Sequence, residues 1–143
     1  MAKVEDLHTL SQQLTQAGIV HALGGSGLLS YLDLAVEVND WDLTTEAPLN
    51  AVEEALRGYD FVRLEPKGIY KSAFLLKLEL PQSEADVIGG FAIADSHQVI
   101  NIRTVVTGYW DGVPVGSAEE WLKAYRAMGR TRKAELLAQY LQQ

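Results

Sequence analysis

Asp40 and Asp42 are separated by one residue and follow the turn Gly24-Gly25-Ser26, with thirteen residues between Ser26 and Asp40. On a strand, residues two apart project from one face, so these carboxylates would stand side by side while Trp41 and Leu43 face the other way. Adjacent like charges flanked by apolar residues repel each other and resist burial. A divalent cation between them removes the repulsion, and paired cations about 4 Å apart suit phosphoryl-type displacement. An exposed strand end with two solvated aspartates would read the same way.

Asp86 is the third acid of interest. In Glu84-Ala85-Asp86-Val87-Ile88 it shares a strand face with Glu84, and apolar residues follow directly. A carboxylate entering a hydrophobic strand needs a partner, which a metal site supplies and a water-facing strand edge makes unnecessary. Gly24 and Gly25, placed after an apolar run, would let backbone approach a ligand closely, and the N–H groups opening a helix attract anions. Ser26 would add a hydroxyl at that helix start and could cap it. By themselves, glycines between a strand and a helix are most often only a turn.

The elements that must hold these residues can be read in order. Val4, Leu7, Leu10, Leu14 and Ala17 mark an amphipathic helix, with Gly18 placed to end it. Ile19 to Leu23 reads as a buried strand, Leu28 to Leu34 as a short helix and Val38 to Thr45 as a strand. Pro48 suits the first position of a helix that stops at Gly58. Four strand candidates follow: Asp60 to Glu65, Ser72 to Leu80, Glu84 to Ala94 and Gln98 to Thr107, with a hairpin signal at Leu80-Pro81-Gln82-Ser83. Tyr109 to Gly116 reads as a loop. Ser117 and Glu120 form a capping box ahead of a helix whose Trp121, Tyr125 and Met128 look like ordinary core. Gly129 ends or bends it, and Leu136, Leu137, Tyr140 and Leu141 mark a last helix. The pattern predicts an α/β (α+β) fold with a mixed sheet, flanking helices and a helical C-terminal tail. One domain over 1–143 is expected, with a core at about 19–94, a further strand at about 98–107 and the tail at about 117–142.

Composition bounds the function. The chain has 143 residues, 48% of them hydrophobic, no cysteine and a net charge of −7. Disulfides and thiolate metal sites are excluded. The acidic balance argues against broad nucleic-acid binding, which draws on a basic surface. Residues from Arg103 onward nevertheless carry six Lys/Arg against four Asp/Glu. No apolar run approaches the roughly 20 residues of a membrane span, and no signal-peptide apolar region opens the chain, so a cytoplasmic location is expected.

Other motifs are weaker. Gly25-Ser26-Gly27-Leu28-Leu29-Ser30 partly matches a dinucleotide fingerprint, with Glu46 where a ribose-binding acid would fall, but its third glycine is missing and a buried parallel strand would not carry Asp40 and Asp42. Ser26 fails G-x-S-x-G because position 28 is leucine. His8, His21 and His97 lack metal-ligand spacing, and His21 reads as a structural histidine. Trp110 and Asp111 could line a pocket or form a turn with a packed aromatic.

Gly25-Ser26 followed by Asp40-Trp41-Asp42-Leu43, with Asp86 on a later strand, resembles the signature of the DNA polymerase β-like nucleotidyltransferase superfamily over residues 19 to 94. The tail is similar, more loosely, to small members that end in helices with a Gly-Arg turn. The resemblance implies that Gly24, Gly25 and Ser26 bind the phosphates of a nucleoside triphosphate (NTP). Asp40, Asp42 and Asp86 would be the catalytic residues and would hold Mg²⁺ or Mn²⁺. Asp86 would also help deprotonate a hydroxyl acceptor on a small molecule or protein. Arg130, Arg132 and Lys133 could approach the triphosphate. A catalytically weak binding or regulatory module on the same fold, as half of a two-component system, is the alternative reading. An apolar helical tail on so small a chain would also suit a homodimer.

Overall fold

The computed structural model describes residues 1–34 and 36–143. In chain order the elements are α1 (Val4–Gln16), β1 (His21–Gly24), α2 (Gly25–Tyr31), β2 (Trp41–Thr45), α3 (Leu49–Ala55), β3 (Asp60–Leu64), β4 (Phe74–Glu79), β5 (Glu84–Gly89), β6 (Ala92–Ala94), β7 (Val99–Asn101), β8 (Gly108–Trp110), β9 (Val113–Val115), α4 (Ala118–Met128) and α5 (Thr131–Leu141). Among the described residues, seven strands form one mixed sheet in the order β3-β4-β5-β2-β1-β9-β8, and β6 pairs with β7 apart from it. β2 runs parallel to β5 and β1 parallel to β9, while the remaining neighbours in the large sheet are antiparallel.

Strand alternation decides which face each side chain takes. Trp41 and Leu43 of β2, Leu76 and Leu78 of β4, and Ala85 and Val87 of β5 are buried with Leu7, Leu10 and Leu14 of α1 and Val52 of α3. Burying each large side chain contributes about 1.5–3 kcal/mol. A one-residue slip would turn this whole apolar set to solvent, so it pins the register. Asp42, Lys77 and Asp86 occupy the intervening positions and are thereby forced onto the opposite face. A second core packs there, where Leu28 and Leu29 of α2 meet Phe91, Ile93, Trp121, Ala124, Tyr125 and Leu137.

Local signals explain several boundaries. Gly18, at φ 77°, ends α1: its N–H donates to the Thr15 carbonyl and that of Ile19 to the Leu14 carbonyl. This is a Schellman closure. The β4–β5 hairpin turns at Pro81-Gln82, where the Leu80 N–H donates to the Ser83 carbonyl at 2.9 Å. Ser117 caps α4 by accepting from the Glu120 N–H at 3.1 Å. Glu120 does not complete the box; its carboxylate accepts from the Arg103 N–H at 2.7 Å.

Four expectations are corrected. The strand predicted over Glu84 to Ala94 is two strands, because Gly90 at φ 55° turns the chain out of the large sheet. The loop predicted over Tyr109 to Gly116 is the β8–β9 hairpin, with Asp111 at φ 46° and Gly112 at φ 86°. That double positive φ is the tight turn an Asp-Gly pair favours. Ser26 does not cap α2: the helix begins at Gly25, with Gly24 in the cap position. Pro48 precedes α3 as its cap rather than opening its first turn.

Candidate active site

One row of register partners crosses the cleft face of the sheet: Val62, Lys77, Asp86, Asp42 and Gly24, from β3, β4, β5, β2 and β1. Asp42 and Asp86 are therefore direct neighbours on parallel strands. Asp40 lies in a bend just before β2 rather than within it. It stands close enough that its charge acts on both Asp42 and Asp86. All three aspartates, with Gly25 and Ser26, line one cleft of about 830 Å³.

The opposite wall comes from the C-terminal helices. Trp121, Tyr125 and Met128 of α4, with Arg130 and Lys133, line the same cleft, whereas Arg132 is exposed outside its lining. The aromatic face expected to be plain core is thus core and cleft wall together. The β3–β4 connection completes the enclosure through Glu65, Lys67 and Tyr70. The Tyr70 hydroxyl donates to Met128 Sδ at 3.3 Å, tying that connection to the end of α4.

The glycines are set by contacts. A Cβ on Gly24 would overlap the Trp121 indole. A Cβ on Gly25 would overlap the Asp42 carboxylate, and Gly25 is also held at φ 57°. Both facts require glycine at position 25. α2 is only seven residues long. Polar holding groups at its start come instead from Ser26 Oγ and Lys133 Nζ, 3.2 Å apart. The Lys133 ammonium also lies 5.6 Å from the Tyr125 ring centroid.

Electrostatics set Asp42 and Asp86 apart from ordinary surface carboxylates. Burial, then the charges of Asp86 and Asp40, pushes the Asp42 carboxyl up to about 7, against the opposing pull of Lys133 and Lys77. Burial also raises the Asp86 carboxyl; Lys77 opposes the shift, and Asp40 and Glu84 add to it. Asp86 raises the Lys77 ammonium, burial opposes that, and Glu84 reinforces it. Lys77 Nζ stands 3.7 Å from Asp86 Oδ1 and 3.7 Å from Glu84 Oε1. Asp86 Oδ1 and Tyr125 Oη are buried without a hydrogen-bond partner among the described residues. Burial raises the Tyr125 hydroxyl too, and the Asp42 charge adds to the effect.

The donor set suits a hard divalent cation, since it consists of carboxylates with a buried oxygen still lacking a partner. As placed, no three acidic or imidazole side chains among the described residues stand close enough to hold one ion. The row and the cleft bring the three aspartates together, and Asp86 leans toward Lys77.

Other candidates have structural roles. The buried His21 donates through Nδ1 to the Ile19 carbonyl at 2.9 Å and accepts from the Ser11 hydroxyl at 2.7 Å. Burial lowers its pKa, with the Ile19 bond opposing, which favours the neutral ring. Glu46 accepts from the Thr104 N–H at 2.7 Å. Trp110 packs against Tyr31 and Trp41, each at 6.3 Å between ring centroids, as a packed aromatic beside a turn.

Solved structures share the fold of this chain. A Thermotoga maritima protein provisionally assigned as a nucleotidyltransferase superposes with a TM-score of 0.70 at 19% identity, covering 97% of this chain and 92% of its own. The crystal structure of ANT(2'')-Ia in complex with adenylyl-2''-tobramycin superposes at 0.61 and 15% identity, covering 96% and 88%. The solution structure of this antibiotic-resistance factor superposes at 0.67 and 15%, covering 96% and 83%. No protein-family model matches the chain, and no curated protein matches it by sequence. The chain has the DNA polymerase β-like nucleotidyltransferase fold. No helix among the described residues is long and apolar enough to cross a membrane.

Proposed function

We propose that the cleft transfers a nucleoside monophosphate from an NTP to the hydroxyl of a small molecule, with a protein hydroxyl as the other acceptor class. The observation that carries this reading is the meeting of Asp40, Asp42 and Asp86 with Ser26, Arg130 and Lys133 in one cleft. Carboxylates on one wall and cations on the other suit a metal-bound triphosphate. ANT(2'')-Ia, crystallised with an adenylylated aminoglycoside, supports a small-molecule acceptor as the class to test first.

Asp40, Asp42 and Asp86 would hold Mg²⁺ or Mn²⁺, which when bound neutralises phosphate charge and activates oxygen. Gly25, lacking a side chain, leaves room for the Asp42 carboxylate to lie against the turn that precedes Ser26. Ser26 Oγ and Lys133 Nζ orient the terminal phosphates, with Arg130 nearby. Asp86, raised by burial, is suited to accept the acceptor hydroxyl's proton. The acceptor oxygen then bonds to the α-phosphorus while the bond to the bridging oxygen breaks and pyrophosphate leaves. Positioning and charge complementarity supply most of the acceleration.

A second reading is a nucleotide-binding module with little turnover, favoured by the Lys77–Asp86 contact and by the lack of a three-carboxylate cluster among the described residues. Incubation with Mg²⁺, α-labelled NTPs and a panel of polyhydroxylated acceptors separates the two. Label transfer with pyrophosphate release, lost in Asp40→Asn, supports the transferase. Saturable nucleotide binding with no release across the panel supports the module.

A further inference from the structure

Lys77 stands in the same transverse row as the carboxylates and on the same face. It is opposite Asp86 on β4, and Asp86 is opposite Asp42. Asp86 is thus flanked by a like charge on one side and an ammonium on the other. At 3.7 Å the Lys77–Asp86 pair is too long for a hydrogen bond and close enough for strong attraction. The oxygen nearest the ammonium, Oδ1, is the one that lacks a hydrogen-bond partner among the described residues. Glu84, at the same 3.7 Å, holds the ammonium from its other side. With Asp42 and Asp86 so close, the row is repulsive by itself, and Lys77 relieves part of that repulsion without closing the cleft.

We propose that Lys77 is a resident counter-cation of Asp86, which weakens the site's grip on a free divalent cation so that the cation enters together with the triphosphate. The inference rests on reading Asp40, Asp42 and Asp86 as the metal-holding set. Fully ionised, the three carboxylates carry three negative charges, and with Lys77 the group carries two. A free cation is therefore attracted less strongly, and it must approach an ammonium that already attends Asp86. A metal–triphosphate complex carries a net negative charge, so the ammonium, which stands outside the cleft lining, does not repel it as it repels a free cation. Lys77 is a positioning residue in this account, acting through Asp86.

The test is a Mn²⁺ titration without nucleotide, following the free-ion signal by electron paramagnetic resonance. Lys77→Met keeps the aliphatic stem and removes the charge, Lys77→Gln is a polar second variant, and Lys77→Arg keeps the charge. The neutral variants are expected to bind Mn²⁺ about tenfold more tightly than wild type, with Lys77→Arg staying near wild type. Equal or weaker Mn²⁺ binding by a folded neutral variant would overturn the proposal. Asp42→Asn separates the levels. If it weakens Mn²⁺ binding while the neutral Lys77 variants leave it unchanged, the Lys77 inference fails alone. If it leaves Mn²⁺ binding untouched, the metal-site reading fails and takes the Lys77 inference with it.

Discussion

Lys133 Nζ lies 3.2 Å from Ser26 Oγ, joining α5 to the start of α2 across 107 positions of chain. The contact brings the basic C-terminal segment to the glycine-serine turn. If the cleft holds a triphosphate, a lysine in this place would act as a point charge for phosphate. Lys133→Met is expected to weaken Mg²⁺–NTP binding about tenfold or more, in line with the worth of a hydrogen bond to a charged group. In a turnover assay the change should appear mainly in KM. Unchanged nucleotide affinity by equilibrium dialysis would remove Lys133 from the site.

Gly25 is fixed twice, by its φ of 57° and by the Asp42 carboxylate where a Cβ would sit. Gly25→Ala is expected to cost about 1–3 kcal/mol of folding stability through backbone strain, with any displacement of Asp42 added. Urea denaturation measures this, and a cost below about 0.5 kcal/mol would mean that the turn relaxes freely.

Asp42 gives a pH signature. Its carboxyl is raised to about 7, so between about pH 4 and pH 7 the folded state holds a proton that the unfolded state has released. Stability contributed by that proton is full below the unfolded pKa and is lost as pH rises through the folded one. Wild type should therefore lose stability relative to Asp42→Asn from pH 4 to pH 8, with a ceiling of about 4 kcal/mol before solvent screening lowers it. Mg²⁺ at pH 8 should recover stability in wild type and not in the variant. Parallel pH profiles for the two proteins would show that Asp42 titrates normally.

Tyr125 Oη is buried without a hydrogen-bond partner among the described residues. Removing an unsatisfied buried hydroxyl relieves a desolvation penalty, so Tyr125→Phe is expected to be neutral or stabilising by up to about 1–2 kcal/mol. Thermal unfolding checks this; a clear loss of stability would mean that the hydroxyl already has a partner in solution.

Much of the candidate site can be read from residue types and local spacing. Gly25-Ser26 and Asp40-Trp41-Asp42 declare themselves within one short segment, and Asp86 does so as an acid among apolar strand residues. The apolar partners Trp41, Leu43, Ala85 and Val87 fix which way those acids face. Lys77 was within reach of the same logic. The turn that sets Leu80 against Ser83 also sets Lys77 against Asp86, once the hairpin is extended in register. Lys133 is different, because its place depends on how α4 and α5 dock, and helix periodicity says only which stripe is apolar. Tyr125 was hidden by the same limit: an aromatic on a helix stripe looks identical whether it meets core or the edge of a cleft. The β8–β9 hairpin was hidden by its brevity, although Asp111-Gly112 is a strong tight-turn pair.

The proposed function requires the cleft to bind a metal–nucleotide complex through its aspartates. Its most direct test is calorimetric titration with an NTP analogue whose α,β bridge resists cleavage, with and without Mg²⁺. Wild type is expected to bind the analogue only with Mg²⁺ present, and Asp42→Asn and Asp86→Asn to bind it about tenfold more weakly or worse. Binding by folded Asp42→Asn as tight as wild type, or wild-type binding indifferent to Mg²⁺, would contradict the account.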